Sequence, residues 1–467
     1  MAWLVAIIGS VTGFLFGYDE GIIAGSLGLI RNYFNLNHTD VGLIASALPF
    51  GALIGSTLIG AFIASRFIKH FGRRPLLFWA GLLFLLGSLG TAMADAEWLL
   101  IMARFVLGLA IGTAAVTTPL YLAESAAMQQ RGAMVAIYQL AITIGIVCAY
   151  SANYLLIEHQ AWRVMFASSA IPSLILIFGI FFLPESPRWL MSVGREEAAE
   201  KALKRLRKNQ NIQQEFCEIK NTLANEPAGN HWRSLFKKPL LPVLSLGMAL
   251  FCLQQLSGIN VIIYFAPEIF KNLGFNNAVG QMLATMGIGI INLLVTIAAV
   301  FYVDRLGRRK LLLIGFTGAS ISLLSLSIFS FYQAGLLTYL SVLCLTVYIF
   351  SFAISIGPVP HIAMSEIFPL RVRGIGMGMS SLSNWGFNTV TVFTFPILHH
   401  YFGIELTFAL YAMICFFGLI WTYFYMPETK NISLEAIENY LMSGKDLRFL
   451  GREEDNLRVS AEQPGLA

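Results

Sequence analysis

The chain has 467 residues, of which 57% are hydrophobic and 12% are charged. Soluble globular domains carry about 25% charged residues, so this composition excludes an ordinary soluble enzyme or binding domain and indicates a helical membrane protein. The formal net charge of +5 requires no nucleic-acid partner.

Apolar stretches long enough to cross a bilayer, about 20 residues each, recur along the whole chain. They predict twelve spans, six on each side of a long connection. This connection carries charges at helical pair spacing, which indicates short amphipathic helices at the cytoplasmic face. The predicted domains are residues 1–183, 184–238, 239–426 and 427–467. The predicted spans are residues 3–28, 41–65, 75–95, 98–120, 133–157, 163–183, 240–270, 278–303, 311–333, 337–363, 374–398 and 404–426.

Basic residues are concentrated in the loops on one side. Of the 31 lysines and arginines, only Arg31, Arg163 and Lys271 lie on or beside loops after odd-numbered spans, and Arg104 lies inside a span, which leaves 31 − 4 = 27 on the other side. Lysine and arginine favour cytoplasmic loops. We therefore expect an integral protein of the plasma (bacterial inner) membrane with both termini in the cytoplasm.

Two charged side chains, Asp19 and Arg104, lie inside the first and fourth predicted spans. An ionised group in hydrocarbon costs about 3 kcal/mol unless it is paired. The helical rise places the two at depths that differ by only ~5 Å, which allows a salt bridge between them. Pairing stabilises the carboxylate and separation favours the protonated acid, as a proton carrier requires; a static structural pair is the alternative.

Amide side chains cluster in the seventh span, at Gln254, Gln255 and Asn260. Amides donate and accept hydrogen bonds, which suits an uncharged ligand with many hydroxyl groups. Because helical residues are about 100° apart, all three converge only if the helix loosens at Ser257-Gly258, where glycine tolerates unusual dihedrals. Broken helices recur in transporter sites. The alternative is that the amides only bond neighbouring helices.

The two halves of the chain repeat short charged motifs in the same order, at offsets of 235 to 243 residues. Their glutamates and arginines lie at cytoplasmic span ends, where charge-assisted hydrogen bonds can latch the halves while the site faces outward. Solvated surface charges are the alternative. The corresponding pairs are Arg73 and Arg308, Glu124 and Glu366, Arg131 and Arg373, and Glu185 and Glu428.

The chain resembles the sugar porter family of the major facilitator superfamily. The resemblance implies an all-α membrane protein with twelve transmembrane helices in two pseudo-symmetric six-helix bundles, a parallel repeat with the site between the halves. The residues that carry the resemblance are Gly17-Tyr18-Asp19, Gly72-Arg73-Arg74, Pro184 to Leu190, Gln254 to Asn260, Asp304 to Arg309, and Pro427 to Lys430.

The resemblance also implies roles for single residues. Gln139, Asn292 and Trp385 resemble sugar contacts, and an aspartate at position 19 resembles proton symporters. His361 stands where many relatives have tryptophan, and bonding the sugar, sensing pH and filling space are all open for it.

The leading hypothesis is proton-coupled symport of a monosaccharide, a hexose or pentose, by alternating access, with Asp19 and Arg104 carrying the coupling. The alternatives are a facilitative uniporter without proton coupling and a sugar sensor that does not transport. No zinc-protease, P-loop or nucleophile-elbow motif is present, so we expect no enzyme, no cofactor and no metal. The expected partners are a monosaccharide, protons and the bilayer, and the chain is expected to function as a monomer.

Overall fold

The structure is a computed structural model that describes residues 1–58, 72–127, 130–207, 212–224, 235–332, 336–369, 372–430, 432 and 434–451. In these ranges the regular elements are helices. The end of the predicted span 41–65 and the tail beyond residue 451 lie outside them.

The first half of the chain contains six spans, as the apolar pattern predicts. The sixth is divided into two shorter helices at Ser168-Ser169. The helices are α1 (Ala2–Phe34), α2 (His38–Thr57), α3 (Arg73–Ala92), α4 (Glu97–Ser125), α5 (Arg131–Leu156), α6 (Trp162–Ala167) and α7 (Ala170–Phe181).

Three short helices follow in the connection, where amphipathic helices are predicted: α8 (Pro187–Ser192), α9 (Glu196–Arg207) and α10 (Gln213–Ala224). Their apolar side chains, including Trp189 and Leu203, form a core of their own. Glu200 and Lys204 pair at 2.7 Å on the exposed face of α9, at the helical spacing that indicated a helix in this connection.

The second half repeats the pattern, and its irregular segments include a break between α11 and α12 and a π-helical turn at Phe352–Ile356. The helices are α11 (Leu241–Leu256), α12 (Ile259–Asn272), α13 (Ala278–Leu306), α14 (Arg308–Tyr332), α15 (Leu336–Ser351), α16 (Pro358–Ile367), α17 (Arg373–Tyr425) and α18 (Leu434–Met442).

Eleven helical stretches within the described residues are long and apolar enough to cross a membrane. The last, α17, has 53 residues, about 80 Å of helix against a hydrocarbon layer of about 30 Å. It is broken at Gly403, which has φ 76° and ψ 169°, a conformation that glycine adopts readily. α17 therefore supplies two spans, which gives the predicted total of twelve.

Glycines on α1 set its approach to α5. Gly13, Gly17, Gly21 and Gly25 recur every four residues and face α5, and a Cβ at Gly17 would overlap the carbonyl of Ile142. Such small-residue faces allow membrane helices to pack backbone to backbone. At about 100° per residue, Asp19 points about 160° away from this face.

By internal contacts the chain forms two compact units. Unit 1 contains residues 1–228, 260–293 and 388–401, and unit 2 contains residues 229–259, 294–387 and 402–467. Unit 1 thus combines the first six spans with segments of α12, α13 and α17. The predicted domain boundaries divide the chain by its sequence repeat and stay a prediction.

Candidate functional site

The amide cluster lies at a break in the seventh span, as predicted. α11 ends at Leu256, Gly258 has φ 91°, and α12 begins at Ile259. In unit 2 the hydroxyl group of Tyr348 donates to the Ser257 carbonyl at 2.9 Å, and the Ser257 hydroxyl donates to the Gln254 carbonyl at 2.7 Å. The break is therefore held open by specific hydrogen bonds.

Gln254 stabilises a second irregular segment in unit 2. Its side-chain nitrogen donates to the carbonyls of Ile356 and Gly357, at 3.0 and 2.7 Å. A regular helix would bond the Ile356 carbonyl to the N–H of residue 360, which is Pro360 and has none. Gln254 fills this vacancy, while its side-chain oxygen is buried without a partner among the described residues.

Gln255 bonds a side chain that the sequence did not single out. Its nitrogen donates to the side-chain oxygen of Asn384 at 2.5 Å. Asn384 precedes Trp385, which is 4% exposed. His361 is exposed and lies edge-on to the ring of Phe251, with 4.8 Å between centroids. Unit 2 thus contains the bonded amides of Gln255 and Asn384, the indole of Trp385 and the imidazole of His361.

The remaining predicted sugar contacts lie in unit 1. Asn260 is buried, Asn292 is half-buried and Gln139 is exposed. The hydroxyl group of Tyr150 donates to the Ile263 carbonyl at 2.9 Å. This carbonyl lacks a helical donor because residue 267 is a proline. Convergence of all the predicted contacts on one ligand stays a prediction.

Asp19 is completely buried in unit 1. Within the described residues, neither of its carboxylate oxygens has a hydrogen-bond partner. Glu20, the next residue, is also buried, with 5% exposure. An ionised carboxylate in this setting is strongly disfavoured, so the geometry around Asp19 suits the protonated acid.

Arg104 is also completely buried, but it does not form the expected salt bridge with Asp19. Its Nε donates to the Ile44 carbonyl on α2 at 2.9 Å, and its guanidinium carbon lies 5.8 Å from the ring centroid of Phe166 on α6. Both terminal nitrogens lack partners among the described residues. Arg104 therefore keeps unused donors for a carboxylate.

A charge cluster joins the ends of α3 and α4 in unit 1. Arg73 contacts Glu124 through two nitrogens, at 2.8 and 2.9 Å. The carboxylate of Glu185 accepts the backbone N–H groups of Arg73, Arg74 and Ser186, the first at 2.9 Å. Burial raises the pKa of Glu185 above its usual value, and these N–H groups oppose that shift.

Unit 2 repeats the main bonds of this cluster. Arg308 contacts Glu366 through two nitrogens, at 2.6 and 3.1 Å, and Glu428 accepts the backbone N–H groups of Arg308 and Arg309. The hydroxyl group of Thr429 donates to Glu366, as that of Ser186 does to Glu124. The sequence repeat is therefore also a structural repeat.

The other two predicted gate residues are placed differently. Arg373 donates its Nε to the Phe368 carbonyl at 3.1 Å, and the side chain of Arg131 lies outside the described residues. Each observed arginine–glutamate pair belongs to a single unit. A latch between the halves stays a prediction.

Sequence reasoning missed the partners of the buried polar groups, namely Asn384, the Ile44 carbonyl and Phe166. A backbone carbonyl leaves no signature in a sequence. Proline does leave one, because it deprives the carbonyl four residues earlier of its donor. Pro267 and Pro360 therefore indicated that the carbonyls four residues earlier need other donors. Tyr150 and Gln254 supply these hydrogen bonds.

Comparison with known proteins assigns the family. A family model described as "Sugar (and other) transporter" matches residues 5–441. The chain belongs to the sugar porter family of the major facilitator superfamily. The predicted fold class is thereby confirmed, and the comparisons support a membrane transporter.

Three similar proteins illustrate the assignment. The putative metabolite transport protein YwtG of Bacillus subtilis is 40% identical over 94% of each chain. The arabinose-proton symporter of Escherichia coli is 39% identical over 97% of this chain and 96% of its own. The inward-open structure of the xylose transporter XylE from E. coli aligns with a TM-score of 0.81 at 30% identity, over 94% of this chain and 100% of that one.

The buried arginine–glutamate pairs predict a graded effect on stability. Glu124→Ala leaves the Arg73 guanidinium, only 10% exposed, without its partner, and breaking a buried pair costs about 3–5 kcal/mol. Glu366→Ala should cost less, because Glu366 is 21% exposed against 7% for Glu124. The measurement is the free energy of unfolding of the purified protein in detergent.

Glu200→Ala is the control, since it breaks an exposed pair with Lys204 worth less than about 1 kcal/mol. If Glu124→Ala destabilises the protein no more than Glu200→Ala does, the cluster has no structural role.

Proposed function

We propose that this protein imports a monosaccharide together with a proton, as a monomer with both termini in the cytoplasm. The observation that carries the proposal is the buried carboxyl group of Asp19, which has no hydrogen-bond partner among the described residues. Arg104 lies in the same unit, and its two terminal nitrogens also lack partners among those residues. The names of similar proteins, which include arabinose-proton and galactose-proton symporters, support it.

Asp19 takes the proton from the outer side, and protonation releases Arg104. Sugar then binds, and the two halves rock about the site until it opens inward. Asp19 loses its proton to the less acidic cytoplasm and pairs with Arg104, and the empty carrier returns. The unpaired state of Asp19 in this structure matches the protonated stage of the cycle.

Sugar recognition uses neutral hydrogen-bonding groups, as an uncharged polyhydroxyl ligand requires. Gln255 and Asn384 present a preorganised amide pair, and Trp385 adds a ring face for the sugar's CH groups and an indole donor. Gln254 positions the irregular segment before His361. Gln139, Asn260 and Asn292 complete the proposed set, and the paired charge clusters form the cytoplasmic gate.

The proton supplies the energy for accumulation. Each 100 mV of membrane potential contributes about 2.3 kcal/mol per proton moved, which is enough for roughly fifty-fold accumulation of sugar. A uniporter lacks this source and only equilibrates its substrate, and a sensor does not move it at all. The polar, buried Asp19 favours the symporter over both.

The coupling prediction concerns Asp19→Asn. Asparagine mimics the protonated acid in shape but carries no proton through the cycle. The variant should therefore lose uphill accumulation and retain sugar binding and exchange between equally loaded sides. The measurement is uptake of labelled sugar with and without an uncoupler.

Glu20→Gln, which neutralises the neighbouring buried carboxyl group, is the matched control and should keep uncoupler-sensitive accumulation. Concentration of sugar by Asp19→Asn in an uncoupler-sensitive manner would exclude Asp19 as the proton carrier, and Glu20 and His361 would be the next residues to test.

The recognition prediction concerns Gln255→Ala. A lost neutral hydrogen bond costs about 0.5–1.5 kcal/mol, so sugar affinity should fall several-fold, and Gln254→Ala combined with it should weaken binding further. Gln281→Ala is the control, because this amide bonds the Phe275 carbonyl, at 2.8 Å, away from the proposed site. Unchanged affinity in the double variant, measured by calorimetry, would remove both glutamines from the sugar site.

A further inference from the structure

Five ionisable side chains meet at one end of unit 1, away from the groups used above. They come from four helices that are far apart in the sequence. With the termini cytoplasmic, as proposed, this end faces the outside. We call the cluster the outer latch, and it consists of Arg31 on α1, His38 on α2, Glu268 on α12, and His399 and His400 on α17.

Glu268 supplies the negative charge of the outer latch and contacts two of its basic side chains. Its carboxylate lies 3.8 Å from a nitrogen of Arg31 and 3.9 Å from Nδ1 of His399. Arg31 is 38% exposed and Glu268 is 34% exposed, so water weakens these pairs without abolishing them. A charged His399 would strengthen its contact with Glu268.

His38, in contrast to Glu268, lies next to basic side chains, those of Arg31 and His400. Its ring stacks on that of His400 with 3.9 Å between centroids and 18° between planes, and its Nε2 lies 3.5 Å from a nitrogen of Arg31. Two neutral imidazoles stack favourably, whereas two imidazolium rings at this distance repel each other and Arg31. Protonation of both rings would therefore weaken the closed contact.

The position of His38 is fixed by its own helix. Asn37 caps α2: its side chain accepts the N–H of Asp40 at 3.0 Å, and the Asp40 carboxylate accepts the N–H of Asn37. The Asp40 carboxylate is engaged in this capping box. Other charges near this end are Glu97 at the start of α4 and Lys271, which follows Glu268 by three residues on α12.

The outer latch is continuous with the broken seventh span. His399 stacks on Phe395 with planes 6° apart, and Phe395 contacts Phe265 at 4.8 Å between centroids. Phe265 has non-helical dihedrals, φ −113° and ψ 15°, and marks the kink of α12. Movement of the outer latch would therefore reach the segment that begins at Asn260.

We infer that the outer latch is a proton-sensitive gate that closes the outer entrance when His38 and His400 are neutral and releases it when they are protonated. The inference rests on the proposed transport function, which places this end of unit 1 on the outer side of the membrane. The closed form places His38 beside Arg31 and His400 and so disfavours a proton on His38, and by linkage its protonation favours the open form. Protonation of His399 beside Glu268 acts in the opposite direction, and we infer that the His38 contribution is the larger one. External acid would then open the entrance on the side from which Asp19 takes its proton.

The test measures the gate itself. Spin labels are placed at Asn32→Cys and Asn276→Cys, exposed positions on the two sides of the cluster, in a chain without its five native cysteines and carrying Asp19→Asn. The last change removes the response of Asp19 from the measurement. Double electron–electron resonance in nanodiscs without sugar then gives the ratio of long to short distances.

Between about pH 8 and about pH 5, where histidine titrates, the ratio should rise about tenfold if the two forms differ tenfold in proton affinity. His38→Gln and His400→Gln should each flatten this response. His159→Gln is the matched control, since this exposed histidine lies outside the outer latch, and it should respond like the parent.

A ratio that is independent of pH in the parent, or an unaltered response in both His38→Gln and His400→Gln, would overturn the inference. The result is independent of transport. Sugar accumulation is measured separately, in the chain that keeps Asp19. A flat spin-label response together with normal accumulation in that chain refutes the outer latch alone, and a normal response together with no sugar transport in that chain refutes the proposed function alone.

Discussion

A carboxyl group buried among apolar helices is stable without a charged partner only when it holds a proton. Asp19 is in this position, on the side of α1 opposite the glycines that bring the helix against α5. Arg104 donates its Nε to the Ile44 carbonyl, and its two terminal nitrogens have no partner among the described residues. The glycine face therefore sets where the carboxyl group points, and the lack of a hydrogen-bond partner among the described residues favours the protonated acid.

Hydrocarbon offers no water to satisfy an open backbone group, so each irregular segment needs a side chain. Tyr150 satisfies the carbonyl that Pro267 leaves open, and Gln254 does the same for Pro360. Tyr348 bonds the carbonyl at the break beside Gly258. These bonds keep the helices broken near the amides. Side chains on neighbouring helices thus stabilise the irregular segments beside the amides.

Much of the architecture was predictable because it depends on local chemistry. Apolar length predicted the spans, and Gly258 predicted the break in the seventh. The sequence repeat predicted that Arg308 and Glu366 correspond to Arg73 and Glu124. In the structure each arginine forms a salt bridge with the glutamate of its own repeat. The hydrogen bond between Gln255 and Asn384 depends on how helices that are distant in the sequence pack against each other. The local sequence pattern does not determine that packing. The same holds for His38 and His400, which are 362 positions apart in the sequence and were visible only as separate histidines.

The central claim, that sugar and proton move together, is tested most directly by sugar-driven proton flux. Purified protein is reconstituted into vesicles that contain a pH-sensitive dye, with no imposed ion gradient, and sugar is added outside. The account predicts acidification of the vesicle interior that follows sugar entry and is absent with Asp19→Asn. Sugar entry at the normal rate without a change of internal pH would contradict it and would make the protein a uniporter.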